Sequence, residues 1–91
     1  MKSTPRREQD VKQLKNRLNR VIGQLNGIVR MLDENRYCGD ILTQLAAAES
    51  ALQAFGYEIL KDHIETCVIE EIQHGNTGIV DEAVELIKKL K

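Results

Sequence analysis

Over residues 3–34 the apolar side chains Leu14, Leu18, Val21, Leu25, Ile28 and Leu32 recur at alternating steps of four and three, with charged and amide residues between them. That period predicts one long amphipathic helix from about Ser3 to Glu34. Pro5 suits its start, where a missing N–H donor costs little. Gly23 and Gly27 weaken a helix unless something needs the space, so they predict close approach by another backbone. A second stripe of Ile41, Leu45, Ala48, Leu52, Phe55 and Ile59 has the same coiled-coil-like spacing. It predicts a second helix that begins after the break Asn35–Asp40 and runs to about Gln73. His74-Gly75-Asn76-Thr77-Gly78 is a turn signal. Ile79, Val80, Ala83, Leu86, Ile87 and Leu90 then mark a short third helix that ends in Lys88, Lys89 and Lys91. No strand pattern or internal repeat interrupts this, so the expected class is all-α with three helices.

Ninety-one residues make one small domain, expected over residues 1–91, and a single copy of that size buries a modest part of its surface. Aromatic side chains are limited to Phe55, Tyr37 and Tyr57, so the core must be built from Leu, Ile, Val and Ala. Oligomerisation would complete it. No apolar run approaches the length of a membrane span, and the charged start has no signal-peptide core. A cytoplasmic protein follows, in which two cysteines are ligands or redox-active thiols rather than a structural disulfide.

Those cysteines change the picture, because Cys38, His63 and Cys67 form a soft-metal ligand set that one chain does not close. His63 and Cys67 sit one helical turn apart on the same face. Cys38 precedes them by twenty-five residues, which is about 37 Å along an unbroken helix. Ligand bonds are about 2.0 to 2.3 Å, so the helix must fold back or a second subunit must supply Cys38. Between Asp40 and Thr66 there is no proline and a single glycine, Gly56, so the helix continues and a partner is required. Antiparallel pairing that brings Cys38 to the midpoint of His63 and Cys67 puts the two-fold axis near Ala51 and Leu52. Ala46, Ala47, Ala48, Ala51 and Ala54 permit close backbones there, and two symmetry-related sites follow.

Two thiolates and one imidazole suit Cu(I) or Zn(II). Three ligands without a fourth favour Cu(I), which soft thiolates select strongly. Nickel would recruit more nitrogen, and no histidine precedes His63. His74 lies in the turn and is expected to face water, as are Asp62 and Glu65. A ligating imidazole needs its other nitrogen held, and Tyr37 and Glu82 are candidates for that hydrogen bond. Catalysis is not expected: the chain offers no oxyanion loop, no phosphate-binding glycine turn and little room for a substrate cleft. A redox or persulfide sensor that uses Cys38 and Cys67 across the same interface is the main competitor, although such chemistry does not require His63.

Charge is unevenly spread within the net −1. Residues 1–36 hold nine Lys or Arg against four Asp or Glu, and residues 37–91 hold four against ten. The first segment could therefore meet phosphate, or could simply present a solvated helix face.

Three stretches together resemble the copper-sensing transcriptional repressors of the CsoR family. They are Arg17-Leu18-Asn19-Arg20-Val21-Ile22-Gly23-Gln24-Leu25-Asn26-Gly27-Ile28, then Tyr37-Cys38-Gly39-Asp40-Ile41-Leu42-Thr43-Gln44-Leu45, and Asp62-His63-Ile64-Glu65-Thr66-Cys67. The resemblance covers essentially the whole chain and is strongest to the copper-binding branch. It implies an antiparallel four-helix-bundle dimer built from the first two helices, a short third helix, and a dimer of dimers. It further implies one Cu(I) per protomer bridged between subunits by Cys38, His63 and Cys67, with Tyr37 and Glu82 as partners of the imidazole. The apo form would bind operator DNA, and Cu(I) would weaken that binding and release copper export or resistance genes. Lys15, Arg17, Arg20 and Gln24 are the expected DNA contacts. Where the family often has glutamate and arginine this chain has Ile22 and Asn26, and a basic position of helix two is Gln53 or Ala54. A nickel-responsive repressor on the same scaffold is the remaining alternative; no small-molecule substrate and no membrane partner are expected.

Overall fold

A computed structural model of the chain describes residues 6–90 and is helical throughout, with short turns. Ser3, Pro5 and Lys91, placed by the sequence at the ends of the first and third helices, lie outside the described residues. Helix α1 spans Glu8–Asp33 and α2 spans Cys38–Asp62. A π-helical turn, His63–Val68, follows without a break, and α3 (Ile69–Gln73) continues from it. Helix α4 spans Gly78–Lys88 and is the third helix of the sequence reading.

Two turns end helices in the same way. After α1, Asn35 takes φ 55°, its N–H donates to the Leu32 carbonyl (3.2 Å), and the Arg36 N–H donates to Met31 (2.9 Å). After α3, Gly75 takes φ 87°, with its N–H on Ile72 (3.0 Å) and the Asn76 N–H on Glu71 (2.9 Å). Both are Schellman caps, which need a left-handed residue; glycine adopts that conformation freely and asparagine tolerates it. The sequence break at Asn35 and the turn at Gly75 thus have one physical cause.

The chain divides into two compact units, residues 6–55 and residues 56–90 of the described part. In the first, α1 and the start of α2 run antiparallel. The Gln44 carboxamide donates to the Gln24 carbonyl oxygen (3.4 Å) across the hairpin, and the buried residues are Val21 and Ala48. Gly27 accommodates this approach, since a Cβ there would lie 3.3 Å from Gln44 Nε2, whereas Gly23 has nothing within 4 Å. The close neighbour of Gly27 is therefore a side chain rather than a second backbone, and within the described chain Gly23 has none.

The second unit packs α4 on the π-turn through Val68, Ile79 and Ala83, each less than 10% exposed. Leu90 closes over Gly56, where a Cβ would meet its Cδ2 at 2.7 Å. Ile79→Ala removes the largest side chain of this cluster. It is expected to cost about 2 to 4 kcal/mol of unfolding free energy, measurable as an earlier urea midpoint with little change in slope.

The stripe along the hairpin is only partly used. Ile22, Leu25, Val29, Leu32, Leu42, Leu45 and Leu52 remain 39–62% exposed. Among the described residues no helix is long and apolar enough to cross a membrane.

Candidate metal centre

His63 opens the π-turn and Cys67 is its fifth residue. The turn is widened: the Ile69 N–H donates to the Ile64 carbonyl five residues back, where an α-helix reaches four. Side chains four apart still share a face in this geometry, so imidazole and thiol stay neighbours. The sequence reading of a regular helix through residues 63–68 is corrected here. Isolated π-turns are rare and cluster at functional sites, which makes their coincidence with the ligand pair informative.

His63 and Cys67 are both half-buried. The His63 Nε2 is fully shielded and has no hydrogen-bond partner among the described residues. A buried polar nitrogen left unpaired costs about 1–3 kcal/mol, so such an atom needs something from outside to bind. Either a metal or an outside hydrogen-bond partner would meet that need. Thr66 Oγ1 lies 3.5 Å from Cys67 Sγ and donates to the Asp62 carbonyl at 2.6 Å.

Cys38 is the first residue of α2 and is exposed; both cysteines are thiols. The Tyr37 carbonyl caps this helix start, accepting from the N–H groups of Asp40 (3.0 Å) and Ile41 (3.3 Å). Arg36 braces the same turn through Asp40 (3.5 Å) and Glu34 (3.7 Å). The Tyr37 ring is 76% exposed and lies over Gly39, where any Cβ would collide with it. Gly39 thus leaves room for the Tyr37 ring at the start of α2. Glu82 is exposed on α4, next to buried Ala83. His63 and Cys67 therefore share one face of the π-turn. Among the described residues no three His, Cys, Asp or Glu side chains are grouped as a metal would require.

On α1, Arg17 and Arg20 line a recess of about 270 Å³ with Gln13 and Asn16. These four stand at i, i+3, i+4 and i+7, one face of a helix. Of these four, the two arginines are among the contacts expected from the sequence and the two amides are not. Lys15 is exposed and leaves the helix about 200° round from Arg17. Gln24 turns toward the hairpin, its carboxamide oxygen shielded and without a hydrogen-bond partner among the described residues.

Residues 10–89 match the family model described as "Metal-sensitive transcriptional repressor". The chain belongs to that family. Within it, the chain is 44% identical over 62 residues to the copper-sensing transcriptional repressor RicR of Mycobacterium tuberculosis, covering 68% of this chain. It spans 65% of that relative, slightly under two thirds of its length. Among solved structures, it is similar to the copper-sensing repressor CsoR with Cu(I) from Geobacillus thermodenitrificans. There the TM-score is 0.88 and the identity 34%, over 96% of this chain and 92% of the other. It is also similar to the nickel-responsive transcriptional regulator InrS, with a TM-score of 0.79 and 30% identity over the whole of both chains. The all-α fold and the membership in this repressor family agree with what the sequence resembles.

Proposed function

We propose that this chain is a cytoplasmic Cu(I)-responsive transcriptional repressor rather than an enzyme, and that residues 1–91 act as one sensing and DNA-binding unit. The observation that carries the reading is the shielded, unpartnered His63 Nε2 one turn from Cys67, on a π-turn in a chain similar to copper sensors. Two thiolates and an imidazole fit Cu(I) better than a metal that prefers nitrogen and oxygen. Cys38 of one subunit, with His63 and Cys67 of another, would hold it, one ion per protomer, with Tyr37 and Glu82 steadying the imidazole. When bound, Cu(I) supplies a common centre that ties residues of two subunits together.

The second subunit is a copy of this chain. Seven large apolar side chains on α1 and α2 are exposed, an apolar surface that a second copy of the chain would cover. Helices α1 and α2 of two copies would bury it as an antiparallel four-helix bundle, and two dimers would pair into the tetramer. The unbroken run of α2 over Cys38–Asp62 supports a second copy as the source of the Cys38 thiolate.

Release from operator DNA requires that the ligand favour a state that DNA disfavours. Drawing His63 toward a partner's Cys38 moves the π-turn, and α4 must follow because Val68, Ile79 and Ala83 are one packed cluster. Arg17 and Arg20, with Gln24 further along the same face of α1 and Lys15 on the opposite side, are the proposed phosphate contacts whose spacing then changes.

His63→Ala tests the coupling. The variant should keep appreciable Cu(I) affinity through two thiolates and normal apo binding to the promoter region. It should remain on DNA at Cu(I) levels that release the parent. If it dissociated as readily as the parent, the imidazole would have no part in the switch. The similarity to InrS makes nickel the second reading; release by Ni(II) and not by Cu(I) in the same assay would favour it. Release by persulfide without metal would favour the thiol-sensing reading.

A further inference from the structure

We infer that Thr66 is a positioning residue for the metal ligand Cys67, and that its hydroxyl, rather than its bulk, performs the task. The inference rests on the reading of His63 and Cys67 as ligands.

Asp62 is the last residue of α2 and stands where the i→i+4 ladder gives way to the wider turn. In a regular helix its carbonyl would face the Thr66 N–H. Here it receives the Thr66 hydroxyl at 2.6 Å, a short and therefore strong bond. This bond selects one of the two χ1 wells open to a helical threonine, and so fixes where Oγ1 stands. That oxygen is 3.5 Å from Cys67 Sγ and, with its one hydrogen given to Asp62, accepts from the Cys67 S–H. The hydroxyl thus clasps the start of the π-turn and flanks the ligand sulfur with the same atom.

A comparison within the chain shows what is particular to the site. Thr43 makes the same back-bond, donating to the Gly39 carbonyl at 2.8 Å, but in a regular turn of α2. The back-bond alone therefore does not widen a helix. At Thr66 it coincides with an α-to-π junction and with a cysteine as the next residue. Thr66 is itself exposed, so core packing gives no reason for its identity.

Thr66→Val keeps the shape and β-branching and deletes the hydroxyl; Thr66→Ser keeps the hydroxyl. Two quantities are measured: Cu(I) affinity by anaerobic competition with a chromogenic chelator, and hydrogen exchange of the Ile69 amide in metal-free protein. The second reports how firmly the Ile69 N–H is held on the Ile64 carbonyl without metal. The valine variant should lose about tenfold in affinity, equivalent to about 1.4 kcal/mol, and its Ile69 amide should exchange about tenfold faster. The serine variant should match the parent within about twofold in both. A valine variant that equals the parent in either quantity overturns the inference. So does a serine variant as impaired as valine, which would make the methyl group the active part. If the parent itself failed to bind Cu(I), the copper reading would fall. The Ile69 amide would still decide whether Thr66 holds the turn.

Discussion

Dimers that pair one Cys38→Ala chain with one Cys67→Ala chain are expected to hold one tight Cu(I) site, although neither variant alone holds any. Each pure variant lacks a thiolate at every site. Losing an outer partner of a ligand already costs about 10- to 100-fold in metal affinity, so losing a ligand should cost more. In a mixed dimer, Cys38 of one chain meets intact His63 and Cys67 of the other, while the symmetry-related site carries both lesions. Co-expression with two different affinity tags isolates the mixed species, and anaerobic titration then counts about one tight site per dimer against about two for the parent. A site contained within one chain gives none in the mixed species. That outcome would dismantle the shared-site proposal.

The second large effect concerns DNA. Arg17→Ala with Arg20→Ala should weaken binding to the chain's own promoter region by more than about tenfold. The slope of log affinity against log salt should flatten by roughly 0.9 for each phosphate that is no longer neutralised. Both arginines face one recess with Gln13 and Asn16, so their charges add on a single track. Lys15→Ala, on another face of α1, reports whether that track extends round the helix. Unchanged affinity and slope in the double variant would place the DNA-binding surface elsewhere.

The helices are legible in the sequence because apolar spacing and turn residues agree. Leu14 through Leu32 mark α1, and Asn35 and Gly75 stand where left-handed caps are needed. The π-turn is not legible. Residues four apart share a face whether the local repeat is α or π, so His63 and Cys67 read the same either way. Gly27 does mark a point of close approach, but its neighbour is the Gln44 side chain, which spacing along one helix does not reveal. Gln13 and Asn16 share the arginines' face of α1, which the choice of Lys15, Arg17, Arg20 and Gln24 from the sequence does not use. The pairing of Cys38 with His63 and Cys67 comes from arithmetic on helix length, and the continuity of α2 is the part of that argument seen directly in the structure.

Among the described residues, five side chains make up the buried interior, and all but Ile79 are valine or alanine rather than large anchors. Such a chain has little to melt by itself. On the proposed assembly its thermal transition would have no single value until a protomer concentration is attached, because a second copy would supply the missing interior. Scarce repressor would be both fragile and without complete metal sites, so dilution alone would lower the number of competent sensors faster than the number of molecules.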